Sequence, residues 1–463
     1  MRTDNSFRNT LHFYNRAGFG TTFKDGEKQG RHSLERTVNK YIESSSATKP
    51  LNVVIFVQPA NYKMLSDDEK KAFNKLKADQ NLLLNTSFIQ RFSDPETALR
   101  ERMTLFWHGH FACRDENPVY SQQLNNLERQ YALENFKDLL IAVSQSPAML
   151  QFLNNQQNVK AHPNENFARE LMELFTIGRG NYTESDIKES ARAFTGWKHD
   201  ETGAFKFNAK VHDPGSKTFM GRTGTFQGED IIDILLNRKE TATFLAGKIY
   251  AYLVSDVSSP GRISDLGDYY FASGYNTGAL VKHILTSDWF YADDVVGKKI
   301  KSPAELLGIL NKCFAVNYKD PKTLIYLQQL LGQTLFNPPN VSGWKGGPNW
   351  INTSSLLFRM KVPSMMLNSG IIEFHGKPDP EEEALIAFNK KNGVSVQKKM
   401  NTSVDWNAFL AALPDPVGQS QLIEYFLPSG LATNERRKIL STNAGDLQGI
   451  VIQLISTPEY QLF

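Results

Sequence analysis

Apolar residues recur at helical spacing along almost the whole chain, and this periodicity limits the fold to a mainly α architecture. Capping residues and glycines mark many of the segment ends. We expect helices at Asn5–Arg16, Ser33–Glu43, Asp67–Arg91, Glu96–Ala112, Gln122–Gln145, Asn164–Ile177, Glu184–Thr195, Asp230–Leu236, Thr241–Val254, Thr277–Thr286, Pro303–Phe314, Lys322–Leu331 and Ser354–Asn368. The sequence therefore predicts a large multi-helix domain in which strands are a minor component.

One region inside this pattern has a different periodicity. Residues 203–228 alternate apolar and polar positions in the stretch FKFNA and then pass through Asp-Pro-Gly and Thr-Gly turns, which is typical of β-hairpins. We expect one hairpin or a pair of hairpins inserted in a helical main domain, residues 1–372. The polar, charged residues 373–403 predict a linker or surface excursion, and a C-terminal helical segment follows at 404–463.

Composition excludes several classes of protein. The formal net charge is only +3, and no run of Lys and Arg could follow a phosphate backbone, so we expect no nucleic-acid partner. Two cysteines, Cys113 and Cys313, are too few for a disulfide framework or a thiolate zinc site. No stretch approaches about 18 consecutive apolar residues, so no membrane span is predicted. The amino-terminal residues lack the apolar core of a signal peptide, which predicts a cytoplasmic protein.

The densest set of charged residues lies in the segment His162–Trp197. On its first predicted helix, Glu165, Arg169, Glu170 and Glu173 share one arc, opposite a run of apolar residues. If this arc faces water, it is an ordinary ladder of charges spaced four residues apart. If it faces a cavity, Glu170 or Glu173 could act as a base and Arg169 could bind an anion. We expect the arc to face other protein segments.

Two histidines in the segment RMTLFWHGHF, His108 and His110, are candidate metal ligands. Residues two apart on a helix point about 200° away from each other, so both can bind one metal only if Gly109 opens the turn. Imidazole with carboxylate help from Glu170 or Glu173 would suit one divalent ion. The alternative is that both imidazoles are satisfied groups of the core.

A turn-rich segment, HDPGSKTFMG, carries a further candidate base with nearby cations. His212 and Asp213 are suited to general-base chemistry, and Lys217 and Arg222 to binding an anionic substrate. Asp-Pro-Gly is also a strong turn former, so Asp213 could serve only the backbone of its own turn. The sequence leaves both interpretations open.

The stretch LFNPPNVSGWKGGPNWINTS predicts a long ordered loop, because Pro, Gly and Asn interrupt every regular pattern. Long loops cost entropy and are usually functional when ordered. Trp344 and Trp350 could stack on sugar rings while Asn340 supplies hydrogen bonds. Equally, both indoles could anchor the loop to the core, since Trp side chains are largely buried on average.

These motifs together resemble the bacterial domain of unknown function 1800 family. The resemblance extends to the opening LHFYNRAGFG and the closing STPEYQLF, and therefore covers nearly the whole chain. It implies no substrate, cofactor or catalytic residue, because the family is uncharacterised. It does imply a setting: relatives are often exported and often encoded beside a sulfatase-like protein, so an envelope-associated location and a sulfatase-like partner are alternatives to consider.

Two classes of function remain open. The first is an enzyme with a His/carboxylate pocket, for example one that carries out metal-assisted hydrolysis of an anionic or carbohydrate-type substrate. The second is a non-catalytic helical scaffold, or a partner of a sulfatase-like protein in envelope assembly. A redox role is a weaker third, because no cofactor motif is present. The usual phosphate loop, zincin, α/β-hydrolase and c-type haem motifs are all missing from the sequence.

Overall fold

The computed structural model describes residues 7–55, 62–368, 400–431, 434 and 446–463. Its helices are α1 (Phe7–Ala17), α2 (Phe23–Gly30), α3 (Leu34–Ser44), α4 (Asp67–Arg91), α5 (Ala98–His110), α6 (Pro118–Gln130), α7 (Phe136–Ser144), α8 (Pro147–Phe152), α9 (Asn166–Glu170), α10 (Glu184–Ala193), α11 (Gly228–Leu236), α12 (Lys239–Leu253), α13 (Pro260–Ala272), α14 (Thr277–Thr286), α15 (Pro303–Phe314), α16 (Lys322–Leu331), α17 (Thr353–Leu367), α18 (Trp406–Ala411), α19 (Gln419–Phe426) and α20 (Leu447–Ile455). Short 3₁₀ turns occur at Tyr62–Met64, Asn155–Gln157, Asp288–Tyr291, Gly347–Trp350 and Glu459–Gln461.

The mainly α fold class is confirmed, and several predicted helices, such as α4, α14, α15 and α16, have the expected bounds. The single helix predicted over 122–145 is wrong. The chain turns at 131–135, and the Asn135 side chain caps α7 by accepting a hydrogen bond from Lys137 N at 2.9 Å. Helices α2, α8 and α13 were not predicted, because α2 and α13 contain helix-weakening glycines and α8 has only six residues.

Strands form three antiparallel two-stranded ribbons in the described residues. They are β1 (Trp197–His199) with β2 (Phe205–Phe207), β3 (Lys217–Phe219) with β4 (Arg222–Gly224), and β5 (Asn317–Tyr318) with β6 (Thr402–Ser403). Two ribbons occupy the predicted β region, although the first begins earlier, where buried Trp197 packs on Phe205 with ring centroids 5.2 Å apart. Strands of two residues are too short to produce a sequence pattern, so the third ribbon was not predicted.

The buried apolar side chains form two clusters. The first is built mainly by helices α5–α14, and the second by α1, α4, α15–α17 and the C-terminal helices α18–α20. The predicted C-terminal segment therefore shares one core with the N-terminal part of the chain: Leu422 and Leu454 pack in the same cluster as Leu84 and Leu307. Most of the predicted linker, residues 373–403, lies outside the described residues, which resume at residue 400. In the described part, no helix is both long and apolar enough to cross a membrane.

Helix α5 contributes to both clusters and carries charged residues that are completely buried. Glu101 forms a bidentate ion pair with Arg129 of α6, at 2.8 and 3.0 Å. Arg102 pairs with Glu305 of α15 at 2.9 Å, and neither side chain is exposed. Because desolvated charges are costly unless they are paired, these bonds fix where α6 and α15 pack on α5.

We expect Arg129→Met to lower the free energy of unfolding by about 3–5 kcal/mol, because Glu101 would remain buried with only Arg91, at 3.4 Å, as a partner. Lys137→Met removes an ion pair with Asp233 in which both side chains are nearly half exposed, and it should cost less than about 1 kcal/mol. Urea unfolding of both variants measures the difference, and equal losses would contradict this ranking.

Candidate functional site

The predicted acidic helix is not one regular α-helix. Helix α9 ends at Glu170 and continues as a π-helical turn, Leu171–Phe175. The Thr176 hydroxyl donates to Leu171 O at 2.6 Å, and Gly178, with φ of +77°, closes the turn by donating from its backbone N–H to Met172 O at 2.9 Å. Such π turns are rare in proteins and are frequent at functional sites.

The arc of Glu165, Arg169, Glu170 and Glu173, here called the acidic arc, contacts helix α10 and the turn before that helix. Arg169 bonds Glu165 at 3.3 Å and Glu184 of α10 at 2.9 Å, whereas Glu173 accepts hydrogen bonds from Arg179 Nε at 2.6 Å and Tyr182 Oη at 3.2 Å. The arc is therefore neither a single ladder nor fully buried. The side-chain exposure of Arg169 is 37% and that of Glu173 is 17%, so the arc faces other protein segments only in part.

Glu170 differs from its neighbours on this arc. It is partly buried, and no hydrogen bond or ion pair joins its carboxylate to another side chain in the described part of the protein. Burial raises the pKa of Glu170, and the negative charge of Glu173 raises it further, while Arg169 and Arg179 act in the opposite direction.

His108 links two elements that are far apart in sequence. Its Nε2 accepts a hydrogen bond from Phe336 N at 3.1 Å, across 228 residues. A backbone N–H can only donate, so the proton of the neutral ring lies on Nδ1, which faces the Glu128 carboxylate at 3.3 Å. Glu128 is completely buried. His108 therefore holds the loop after Leu335 against helix α6, and both of its nitrogens have partners.

His110 points to a different element, as the two-residue spacing predicts. Its Nε2 lies 3.1 Å from the carbonyl oxygen of Phe175, at the end of the π turn. Burial lowers the pKa of His110 to about 3, and the charge of Lys248 lowers it further. The acidic helix does approach the histidines, but through this backbone carbonyl. Among the described residues, no group of three or more His, Cys, Asp and Glu side chains could hold a metal ion.

The HDPG segment forms a tightly bonded turn. His212 Nδ1 lies 2.9 Å from Thr195 O, and Asp213 forms an ion pair with Arg192 at 2.7 Å that lowers the pKa of Asp213. Lys217 is buried and donates to Asp213 O at 2.7 Å and to Gly215 O at 3.0 Å. Burial lowers the pKa of this amine. Arg222 alone of the four predicted residues is exposed, on β4.

The long loop lies against the carboxyl end of α5. A Cβ atom at Gly343, where φ is +72°, would lie 2.6 Å from Gly109 O, so only glycine permits this approach. Trp350 is buried, as an anchor would be. Trp344 is half-buried beside the His108 ring, with centroids 6.0 Å apart. Asn340 is exposed and accepts a hydrogen bond from Ser342 N at 2.9 Å within the loop.

Three of the four motifs therefore meet at the carboxyl end of α5: its own histidines, the end of the π turn and the long loop. The HDPG turn is attached to α10 through Arg192 instead. Within the described residues, no hydrogen bond, ion pair or ring contact joins His212 or Asp213 to Glu170, His108 or His110.

A second charged group was missed by the sequence analysis. We call it the cationic cluster, and its members are all buried side chains: Arg16, Arg102, Lys299, Lys301 and Arg359. The first four lie 5.0–5.6 Å from the ring centroid of Phe463. Glu305 is the carboxylate that pairs with Arg102 and, at 3.5 Å, with Lys299. Arg16 follows Phe13 by three residues, and Arg102 follows Leu99 by three. Each arginine therefore lies on the apolar face of its helix, and this position in the sequence could have predicted its burial.

Fold and site define a mainly α protein whose long ordered loops are attached to one central helix. The chain belongs to the family described as "Protein of unknown function (DUF1800)", whose model matches residues 12–462. This confirms the resemblance seen in the sequence. No curated protein and no solved structure matches the chain.

The lowered pKa of His110 predicts how the stability of the protein depends on pH. Its folded-state pKa of about 3 lies below the ordinary value of 6.5, so the unfolded chain binds the proton first. Stability that is present above about pH 6.5 should therefore be lost as the pH falls toward 3. We expect His110→Gln, whose amide can still donate to Phe175 O, to show a smaller drop in Tm than the wild type between about pH 7.5 and about pH 4.5.

His162→Gln is the matched control, because His162 is exposed and its replacement should leave the drop unchanged. A wild-type-sized drop in His110→Gln would show that this imidazole does not produce the acid sensitivity.

Proposed function

We propose that this protein is a non-catalytic helical scaffold. The observation that supports the proposal is that the groups best suited to catalysis are already bonded inside the protein. His108 bonds Phe336 N and Glu128, His212 bonds Thr195 O, and the Lys217 amine bonds two carbonyl oxygens. A catalytic base must exchange protons with a substrate, and these groups instead satisfy buried backbone atoms.

The same bonds explain why the motifs carry polar residues at all. A long loop without regular structure must satisfy its backbone groups, and His108 does this for the loop at Phe336. Arg192 does the same for the HDPG turn, because it binds Asp213 and also donates to Ser216 O at 3.1 Å. In this proposal the motifs build rigid loops, and the loops present a surface.

The surface that we assign to a partner is the long loop at the end of α5. It is ordered against the helix and offers half-buried Trp344 together with exposed Asn340 and Lys345. A rigid aromatic ring surrounded by polar groups is typical of protein interfaces. The genomic setting that the family resemblance implies makes a sulfatase-like protein our proposed partner, in envelope assembly. Under this proposal the chain would act in the envelope with that partner rather than in the cytoplasm.

The scaffold proposal predicts that a sulfatase-like protein is encoded beside this chain and co-purifies with it. Trp344→Ala should weaken the complex by about tenfold or more, since a central aromatic residue often contributes about 2 kcal/mol or more to binding. Leu357→Ala removes a 54% exposed apolar side chain on α17 and should have no effect. Binding constants from titration calorimetry decide. No complex with the wild type, or equal binding by both variants, would contradict the proposal.

A second candidate function is an enzyme that hydrolyses an anionic or carbohydrate-type substrate, and Glu170 is the observation that favours it. Its carboxyl is partly buried, has a raised pKa and bonds no side chain within the described ranges, and it lies directly before a π turn. A carboxyl of this kind can act as a general acid. Arg169 and Arg179 lie close enough to influence its charge and could bind an anion. The donor set in the described residues does not fit a metal-assisted version, so we derive no step through a metal.

The enzyme candidate predicts that Glu170→Gln abolishes hydrolysis while leaving Tm unchanged. Substrates for the assay are 4-nitrophenyl phosphate, sulfate and glycosides, and the expected loss is about 100-fold or more in kcat. Glu165→Gln changes an acid on the same arc that already bonds Arg169, and it should retain activity. If the wild type hydrolyses none of these substrates, or if both variants lose activity equally, the scaffold proposal is favoured.

A further inference from the structure

A crevice with a mixed polar and apolar lining lies beside the cationic cluster, away from the motifs that meet at the end of α5. It is formed by residues from α1, the turn after α1, Lys301 and α15, α19 and the C-terminal turn; it is partly open to solvent, and its cavity volume is about 30 Å³. The residues that matter here are Lys301, Lys312, Cys313, Tyr425 and Tyr460. A volume of this size accommodates one or two water molecules, or an ion of similar size.

One polar group in the crevice lacks a partner in the part of the chain that the structure describes. Tyr460 is 3% exposed, and its buried hydroxyl forms no hydrogen bond with any described residue. Tyr425 differs, because its hydroxyl donates to Thr21 O at 2.8 Å. Buried hydroxyls without partners are costly, so the Tyr460 hydroxyl is available to donate to a ligand that enters the crevice.

The charge around the crevice is positive. Lys301 is buried and donates to Tyr460 O, and Lys312 has no ion pair among the described residues. Burial lowers the pKa of Lys301 to about 7 and that of Lys312 to about 8, so a bound anion would favour the protonated form of both amines. The charge of Glu305 acts in the opposite direction on Lys301, as do those of Asp94 and Asp25 on Lys312. Arg359, whose guanidinium donates to Lys301 O, adds a further cation behind the crevice.

Several donors of the cationic cluster are also unused. Arg16, Arg102 and Arg359 each have at least one buried guanidinium nitrogen without a hydrogen-bond partner. Glu305 is the side-chain carboxylate that pairs directly with members of the cluster in the described residues. An environment with more buried donors and cations than acceptors and carboxylates favours a bound anion over a neutral ligand.

We propose that the crevice is a binding site for a small monovalent anion of halide size. The Tyr460 hydroxyl and the Lys312 ammonium donate to the anion, and Lys301 supplies positive charge from the buried side. The small volume of the crevice suits a halide better than a sugar acid or a nucleotide. The site is independent of the scaffold proposal, because it shares no residue with the long loop or the acidic arc.

The direct test is crystallography on the full chain in sodium bromide, whose anomalous signal marks the anion. The expected result is a bromide peak in the crevice, within hydrogen-bonding distance of Tyr460 Oη. In parallel, Tm is measured in sodium bromide against sodium gluconate at equal ionic strength, because gluconate is too large for the crevice. Bromide should raise the Tm of the wild type.

Three variants complete the test. Tyr460→Phe removes the unpartnered hydroxyl, so it should be at least as stable as the wild type in gluconate and should lose the bromide effect. Lys312→Met should weaken bromide binding by about tenfold or more. Lys319→Met, which changes an exposed lysine after β5, should respond like the wild type. No peak in the crevice, or the same bromide response in all four proteins, would overturn the proposal.

Discussion

The buried ion pairs of helix α5 are the interactions on which the rest of the structure depends. Glu101 and Arg102 are neighbours in sequence and therefore point in different directions, one toward Arg129 of α6 and the other toward Glu305 of α15. Each pair lies where water cannot replace a lost partner, so each allows little freedom in how its helices pack. Through α5, the two apolar clusters are held in one arrangement.

The carboxyl end of the same helix organises the loops. Trp107 donates its indole N–H to Ala132 O at 3.0 Å, His108 accepts from Phe336 N, and His110 contacts Phe175 O. Three successive polar groups thus bind three separate segments through backbone atoms. This use of polar side chains suits a fold with long loops. A buried carbonyl or N–H needs a hydrogen-bond partner, and in a loop no helix or sheet supplies one.

Local patterns made much of the fold predictable from the sequence, whereas long-range pairing made the site hard to predict. Helical periodicity depends on neighbours three and four residues apart, so it predicted α4 and α14–α16 with the observed bounds. The divergence of His108 and His110 also follows from helix geometry. Their partners do not, since Phe336 lies 228 residues from His108. The π turn at Leu171–Phe175 was missed because it differs from an α-helix by one inserted residue, which leaves the apolar pattern nearly unchanged.

The distinction between a structural and a functional polar residue depends in this protein on whether its partner is internal. Asp213 and Lys217 have residue types that are common in catalytic sites. Their partners, however, are internal: Asp213 pairs with Arg192 of α10, and Lys217 donates to a backbone carbonyl of its own turn. Glu170 and Tyr460 have equally ordinary residue types, and neither side chain has a partner among the residues that the structure describes. A partly buried carboxyl and a fully buried hydroxyl cost free energy when they are left unpaired. Such a cost is readily offset when something outside the chain completes the bond, and for this reason Glu170 and Tyr460, rather than the bonded residues of the HDPG turn, are where a ligand is best sought.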